Sequence, residues 1–355
     1  MDHFVKLGVF RDGRVLYRVG GNVPVIGYIA FGVIDRGTNV LQVRPTTICP
    51  QNCAFCSVDA GPFSKNRWAE YVMEPQSLIK GVEDVVAIKT YGVEVLIDTI
   101  GDPLTYPHLL DLVKSLKEIP GVKSVALETH GALLTRKLVD RLSEAGLDRI
   151  NASIDTLNAE KARFLYGISW YDLNRTLDAY EYLVKETPID LHVTPVWIPG
   201  VNDEDVIEVV KWAYKIGAGK KWPPATVQKY VEHKYGRKIR GVRPVSWEDY
   251  WRWIDEVENK TGLRVKWTME EWGMRYDNLF DINVNPGDVV VAEVLGRGWV
   301  REEFVGGVEN GKHHYLVALY TRKQRVTVGE RYYVKIKDKW DTLIMGEVLA
   351  PVKTP

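Results

Sequence analysis

Beyond residue 40, short apolar runs alternate with stretches whose apolar positions recur every three or four residues. Val93-Glu-Val-Leu-Ile-Asp, Ser124-Val-Ala-Leu-Glu, Arg149-Ile-Asn-Ala-Ser-Ile and Ile189-Asp-Leu-His-Val-Thr-Pro-Val read as buried strands. Between them, Leu109 to Leu116 (with Leu110, Val113 and Leu116), Leu138 to Leu142, and Leu173 to Val184 carry helical spacing. Strand–helix alternation of this kind implies a parallel sheet in an α/β fold. After Pro286 the pattern changes. The runs at 288–295, 314–320, 331–337 and 341–349 alternate like strands, separated by Gly turns and by Asn310-Gly311, and predict a small all-β barrel of about five strands. The first residues, with Asp12-Gly-Arg and Gly20-Gly-Asn turns, predict β-hairpins. These signals divide the chain into an N-terminal extension (1–38), a core (39–245) that includes a basic segment (215–243), a helical connection (246–282) and a terminal barrel (283–355).

Composition changes this picture little. The 355 residues are 45% hydrophobic and 26% charged, enough to bury a proper core, and the formal net charge of zero advertises no polyanionic partner. Met1-Asp-His-Phe-Val-Lys-Leu lacks the apolar core of a signal peptide. No run reaches the roughly 18 apolar residues that a bilayer span requires. A cytoplasmic protein without membrane contact is therefore expected.

The chemistry concentrates in the cysteines. All three, Cys49, Cys53 and Cys56, fall within eight residues, spaced C-x3-C-x2-C with Phe55 just before the last. Three thiolates at this spacing suit a [4Fe–4S] cube with one iron left open, and an open position is what makes a metal centre reactive. A structural zinc normally takes four ligands in two short pairs, and the second pair is missing unless His130 or His192 folds back. A disulfide framework needs an even cysteine count in a small secreted chain.

The cysteine motif resembles that of the radical S-adenosylmethionine (SAM) superfamily. The resemblance implies a partial (β/α)6 barrel whose cluster loop follows a first strand at about Val40 to Arg44, with active-site groups at the C-terminal strand ends. It also implies that SAM chelates the open iron and, on receiving an electron from an external donor through the cluster, yields a 5′-deoxyadenosyl radical. Asp98-Thr-Ile-Gly-Asp-Pro-Leu is similar to the family's Gly-Gly-Glu-Pro segment, so Gly101 and Asp102 are expected at the SAM ammonium; here Ile100 and Asp102 replace a glycine and a glutamate. Glu128-Thr-His-Gly resembles the Thr-Asn-Gly element, with Gly131 as its turn. Ser153 and Asp155 resemble the pair at the ribose and carboxylate, and Ile198 and Val201 the aliphatic backing of the adenine. Asn202 and Asp203 read as caps of a helix starting near Asp205. His130 and His192 read as satisfied polar residues rather than ligands.

Three cysteines exclude reactions that need extra clusters or free thiols. Two features point to a substrate. From Lys215 to Arg243 nine basic residues face one acid, Glu232, and Trp222, Tyr230, His233 and Tyr235 interleave with them; clustered cations suit phosphates and rings suit unpaired bases. Lys229, Lys234, Arg237, Lys238, Arg240 and Arg243 are the candidate RNA contacts. The terminal barrel resembles the TRAM type of OB-like barrel that RNA-modifying radical SAM enzymes carry, although its eleven Lys or Arg against nine acids give it little excess charge. The expected function is modification of a nucleotide in tRNA or rRNA. The rivals are action on a small metabolite or peptide, and a non-enzymatic RNA-binding protein with a structural metal.

Overall fold

The computed structural model describes residues 4–310, 313–321 and 324–353, so the first three residues and part of the Asn310-Gly311 turn lie outside it. An N-terminal hairpin, β1 (Phe4–Val9) and β2 (Val15–Val19), precedes β3 (Gly32–Asp35), β4 (Val40–Arg44), β5 (Ala69–Met73) and helix α1 (Pro75–Val86). Then come β6 (Val93–Ile97), α2 (Leu109–Glu118), β7 (Val122–Thr129), α3 (Arg136–Glu144), β8 (Arg149–Ala152), α4 (Ala159–Tyr166), α5 (Leu173–Glu186), β9 (Asp190–Val193), β10 (Val196–Trp197), α6 (Asp203–Ile216), β11 (Gln228–Lys229) and α7 (Trp247–Thr261). The central sheet runs β3-β4-β6-β7-β8-β9. Its five later strands are parallel, and only β3 is antiparallel to its neighbour. A parallel bridge from Val193 to Ala225 and the parallel pair β10–β11 carry the order one strand further.

Side-chain alternation separates the two faces of this sheet. Leu41, Val43, Val93, Val95, Ile97, Val125, Leu127 and Ile150 enter the apolar core under the helices. Helix α2 returns Leu109, Leu112, Val113 and Leu116 at the matching helical spacing. The helices start where short polar residues satisfy their free N–H groups: Thr135, Asn158 and Asp172 accept from the first turns of α3, α4 and α5. The other face of the sheet is polar, as described below. Among the described residues no helix is long and apolar enough to cross a membrane.

The N-terminal extension departs from the expected pair of hairpins. Its first turn closes β1 on β2, but after Gly20 the chain does not fold back. The second neighbour of β2 is the parallel strand β5. The Glu74 N–H donates to the Val19 carbonyl, and the Glu74 side chain fills the space beside Gly20, so the backbone is diverted toward the aromatic cluster of Tyr28, Phe31 and Tyr71. Between 246 and 282, α7 is followed by an irregular stretch rather than a second helix.

The remaining strands, β12 (Val289–Arg297), β13 (Glu303–Asn310), β14 (His313–Tyr320), β15 (Arg331–Trp340) and β16 (Leu343–Pro351), form a closed barrel in the order β12-β13-β14-β16-β15, with β14 and β16 parallel. The extension stitches it to the core. Leu316 and Ile344 donate their N–H groups to the carbonyls of Ile26 and Gly27, and a side chain at Gly27 would collide with the Leu316 carbonyl. Glu303 is buried in this seam and accepts from the hydroxyls of Tyr28 and Tyr320. Burial lifts its carboxyl to about 7, against the partly compensating hydrogen bonds. A carboxyl protonated more readily when folded than when unfolded loses stability as pH rises between the two values. Thermal unfolding of the metal-free protein should therefore show a Glu303 contribution that falls between pH 4.5 and about 7, by on the order of 3 kcal/mol at about 1.36 kcal/mol per unit. Glu303→Gln should flatten that part of the profile; an unchanged slope would contradict the assignment.

Candidate radical site at the strand ends

The cysteine loop leaves β4 at Arg44 and passes over the C-terminal ends of β6, β7 and β8. Cys53 is buried, and Cys49 and Cys56 are partly accessible. Burial raises the Cys49 and Cys53 thiols, the neighbouring acids and thiols adding to it; bound irons would reverse this by holding the sulfurs as thiolates. Among the described residues no three His, Cys, Asp or Glu side chains lie grouped closely enough to hold one metal ion. The Asn52 and Ala54 N–H groups donate to the carbonyls of Tyr166 and Leu165 at the end of α4. A side chain at Gly167, which is left-handed at φ 65°, would strike the Asn52 carbonyl.

An apolar cluster surrounds the thiols. Cys53, Phe55, Tyr166, Tyr171, Ile198 and Tyr230 are buried together, with Cys56, Val201, Ile239 and Val242 at its margin. Phe55, Ile198 and Val201 share this cluster with Cys53 and Cys56. Asp155 is fully buried beside Tyr166. One carboxylate oxygen accepts from the Val196 N–H at 2.7 Å and the other has no partner, while burial lifts the group to about 7. The amide of Gln51, inside the cysteine loop, and the Tyr230 hydroxyl are also buried without partners. Buried polar atoms are rarely orphaned, and the unpaired Asp155 oxygen beside Cys53 suits a polar ligand. The residues present therefore fit a cluster with an amino-acid-bearing nucleotide cofactor beside it.

Other expected contacts are placed differently. Asp102 does not face an open site. Its carboxylate accepts from Thr129 Oγ1 and the Leu104 N–H, its own N–H donates to the Ile48 carbonyl, and burial raises it to about 6. It ties a strand end to the cysteine loop. Gly101 serves the same contact, since a side chain there would lie 2.3 Å from the Ile48 carbonyl and 2.5 Å from that of Thr47. Gly131 is left-handed and abuts Tyr180 on α5 rather than a ligand surface. The Ser153 carbonyl accepts from His130 Nδ1 at 2.9 Å, which turns Nε2 toward the Cys53 sulfur at 3.8 Å; burial lowers His130 to about 4. His192 is a satisfied polar residue, bonded to the Pro223 carbonyl and edge-on to Trp272. Asn202 is no simple cap: its amide bonds the carbonyls of Asp155 and Val196 and accepts from Ile198, bracing the site.

Glu128 belongs to the polar face of the sheet, away from the thiols. There Gln42 and Arg44 meet Asp98 at 2.8 and 3.1 Å, Arg149 pairs with Glu94, and the Trp222 and Trp272 rings lie against Arg149. Gln42, Glu94, Asp98 and Glu128 keep partial solvent access, unlike the apolar face. Burial and the nearby Asp98 raise Glu128, and Asn151 hydrogen-bonds to it.

The basic segment proves to be a lid. Tyr230, Ile239 and Val242 pack toward Cys53, and the Arg237 N–H donates to the Cys56 carbonyl. The Arg237 guanidinium bonds the Cys53 carbonyl at 2.6 Å, Asn52 Oδ1 at 2.8 Å, Asp59 at 2.9 Å and the Ala60 carbonyl. Arg237 is therefore a loop clamp and not an outward cation. Lys238 is paired with Glu232; Lys229 and Lys234 lie over the rings of Trp247 and Tyr235; Arg240 and Arg243 are exposed. The Tyr230…Ile239…Val242 spacing was the available signal that half of this segment faces inward.

Comparison with known proteins places this arrangement in a family. The radical SAM superfamily profile matches residues 43–213. An uncharacterized protein of Methanocaldococcus jannaschii is 31% identical over 346 residues, covering 92% of this chain and 79% of that one. The chain belongs to the radical SAM superfamily. It is a radical SAM enzyme, using a [4Fe–4S] cluster and SAM. A GTP 3′,8-cyclase of Clostridium perfringens is 28% identical over 213 residues, 56% of this chain and 62% of that enzyme, and the Aquifex aeolicus cyclase is 30% identical over 52% of this chain and 55% of its own. The chain thus matches little more than half the length of these cyclases. Among solved structures, Streptococcus suis SuiB with SAM bound (TM-score 0.50, 18% identity, 62% of this chain and 48% of that one) and the hydrogenase maturase HydG of Carboxydothermus hydrogenoformans (0.51, 13%, 65% and 55%) share the fold.

The crowding at Gly101 is testable. Gly101→Ala should reduce iron content and melting temperature together, because its added carbon pushes on the cysteine loop. Loss of SAM affinity with full iron would contradict this placement.

Proposed function

We propose that Cys49, Cys53 and Cys56 hold the [4Fe–4S] cluster of a partial (β/α)6 barrel, that the groups around them hold SAM, and that a polar part of the substrate enters the polar face of the sheet. When bound and reduced by an external donor, the cluster and SAM supply a 5′-deoxyadenosyl radical. The chain's own residues bind and orient. The free oxygen of Asp155 accepts a donor from SAM, Phe55, Ile198 and Val201 exclude water from its adenosine, and Asn202 holds Asp155 and Ile198 in register. Gln42, Asp98, Glu128 and Asn151 offer hydrogen bonds to a polar substrate deeper in the fold. The observation that carries this reading is the unpaired, buried carboxylate oxygen of Asp155 beside Cys53. GTP 3′,8-cyclases among the relatives support a nucleotide or similarly polar substrate.

Anaerobic reconstitution should load about four irons per chain with three thiolate ligands. Cys53→Ala should lose them, and Asp155→Asn should weaken SAM binding while keeping the iron. Retention of both iron and SAM affinity by the two variants would sink this assignment.

A second reading, an RNA nucleotide as the substrate, is favoured by the exposed Lys234, Arg240 and Arg243 over the lid. The barrel order, first-second-third-fifth-fourth with third and fifth parallel, also suits an OB-like or TRAM-type module that binds oligonucleotides. Reversing these three charges should weaken RNA retention and flatten its salt dependence by about 0.7–0.9 in log–log slope per lost phosphate contact. A parent protein that never retains RNA leaves the small polar substrate as the reading.

A further inference from the structure

The C-terminal barrel touches an arginine that grips the cysteine loop. Arg67 is buried, and its guanidinium donates to the carbonyls of Val58 (3.1 Å), Thr47 (3.4 Å) and Ile100, and to Glu70 at 3.0 Å. Thr47 precedes Cys49 by two residues and Val58 follows Cys56 by two. Ile100 adjoins the glycine that supports the loop. One side chain therefore fixes both flanks of the loop and the strand end against which it lies. These carbonyls belong to no sheet, and without such a donor they would be buried unpaired.

Arg67 is itself held by the turn between β12 and β13. The Trp299 ring lies 5.4 Å from its guanidinium, the Trp68 N–H donates to the Trp299 carbonyl at 2.7 Å, Arg67 bridges Val300, and the Arg301 N–H donates to the Asn66 carbonyl. We infer that Arg67 is a positioning residue for the cluster loop and that the barrel, through Trp299, holds it in place. The barrel is then part of the radical site's support, whatever else it binds. The inference rests on the assignment of the cluster to Cys49, Cys53 and Cys56.

The test uses full-length protein reconstituted anaerobically. Trp299→Ala and Arg67→Lys should release iron to a chelator roughly ten- to a hundredfold faster, the range typical for loss of an outer-shell partner, and should change the line shape and midpoint potential of the reduced cluster. Trp299→Phe, which keeps a ring against the guanidinium, should restore both. Ile336→Ala, in the barrel core away from the loop, should lower the melting temperature but leave the cluster's spectrum and potential unchanged. Parent-like iron release and spectra in Trp299→Ala and Arg67→Lys would overturn the inference, as would equal iron loss in Ile336→Ala, which would mark a general loosening of the barrel. Iron retained by Cys53→Ala would instead remove the cluster assignment itself, a failure distinguishable from the others.

Discussion

Two guanidinium groups, that of buried Arg67 and that of half-buried Arg237, hold the carbonyls of the cysteine loop, and the site depends on that constraint. A loop that carries three thiols within eight residues off the end of a strand does not also pair its backbone with the sheet. Its carbonyls need other donors, because burial without them is costly. Arginine suits the task since its planar fork spans several acceptors and keeps its charge. Arg67 comes from the strand side and Arg237 from the lid, so the loop is gripped between them.

That grip explains why distant segments converge. The lid, the C-terminal barrel and the extension each join the loop through a short chain of contacts: Arg237 directly, Trp299 through Arg67, and Tyr28 through Glu303 at the barrel seam. The α/β core positions the thiols, and the additions immobilise them. The other face of the sheet carries the polar groups Asp98, Glu128 and the Glu94–Arg149 pair.

Much of the core was legible in the sequence because its strands bury one apolar face and its helices repeat at helical spacing. The first parallel strand falls at Val40–Arg44, as the cysteine motif implied, and β6, β7, β8 and α5 follow their apolar runs. Strand β5 and α4 were not anticipated because each is short, and α1 was missed although Leu78, Val82 and Val85 recur at helical spacing. The apolar cluster of Cys53, Phe55, Ile198 and Val201 gathers residues that the cysteine spacing and the family resemblance had singled out. Asp102, Glu128 and Arg237 were not, because a strand-end acid looks the same whether it meets a ligand or a neighbouring threonine. A basic run likewise looks the same whether its arginine points out or clamps a loop about 180 residues away in the sequence. Such roles are fixed by tertiary contact and have no local signature.

The central claim is that the loop carries a cluster with one iron left for SAM. Electron paramagnetic resonance of the dithionite-reduced, anaerobically reconstituted protein tests it most directly. A [4Fe–4S] signal whose shape changes when SAM is added is the predicted result. A signal indifferent to saturating SAM, or stoichiometric zinc with no iron signal, would contradict the account.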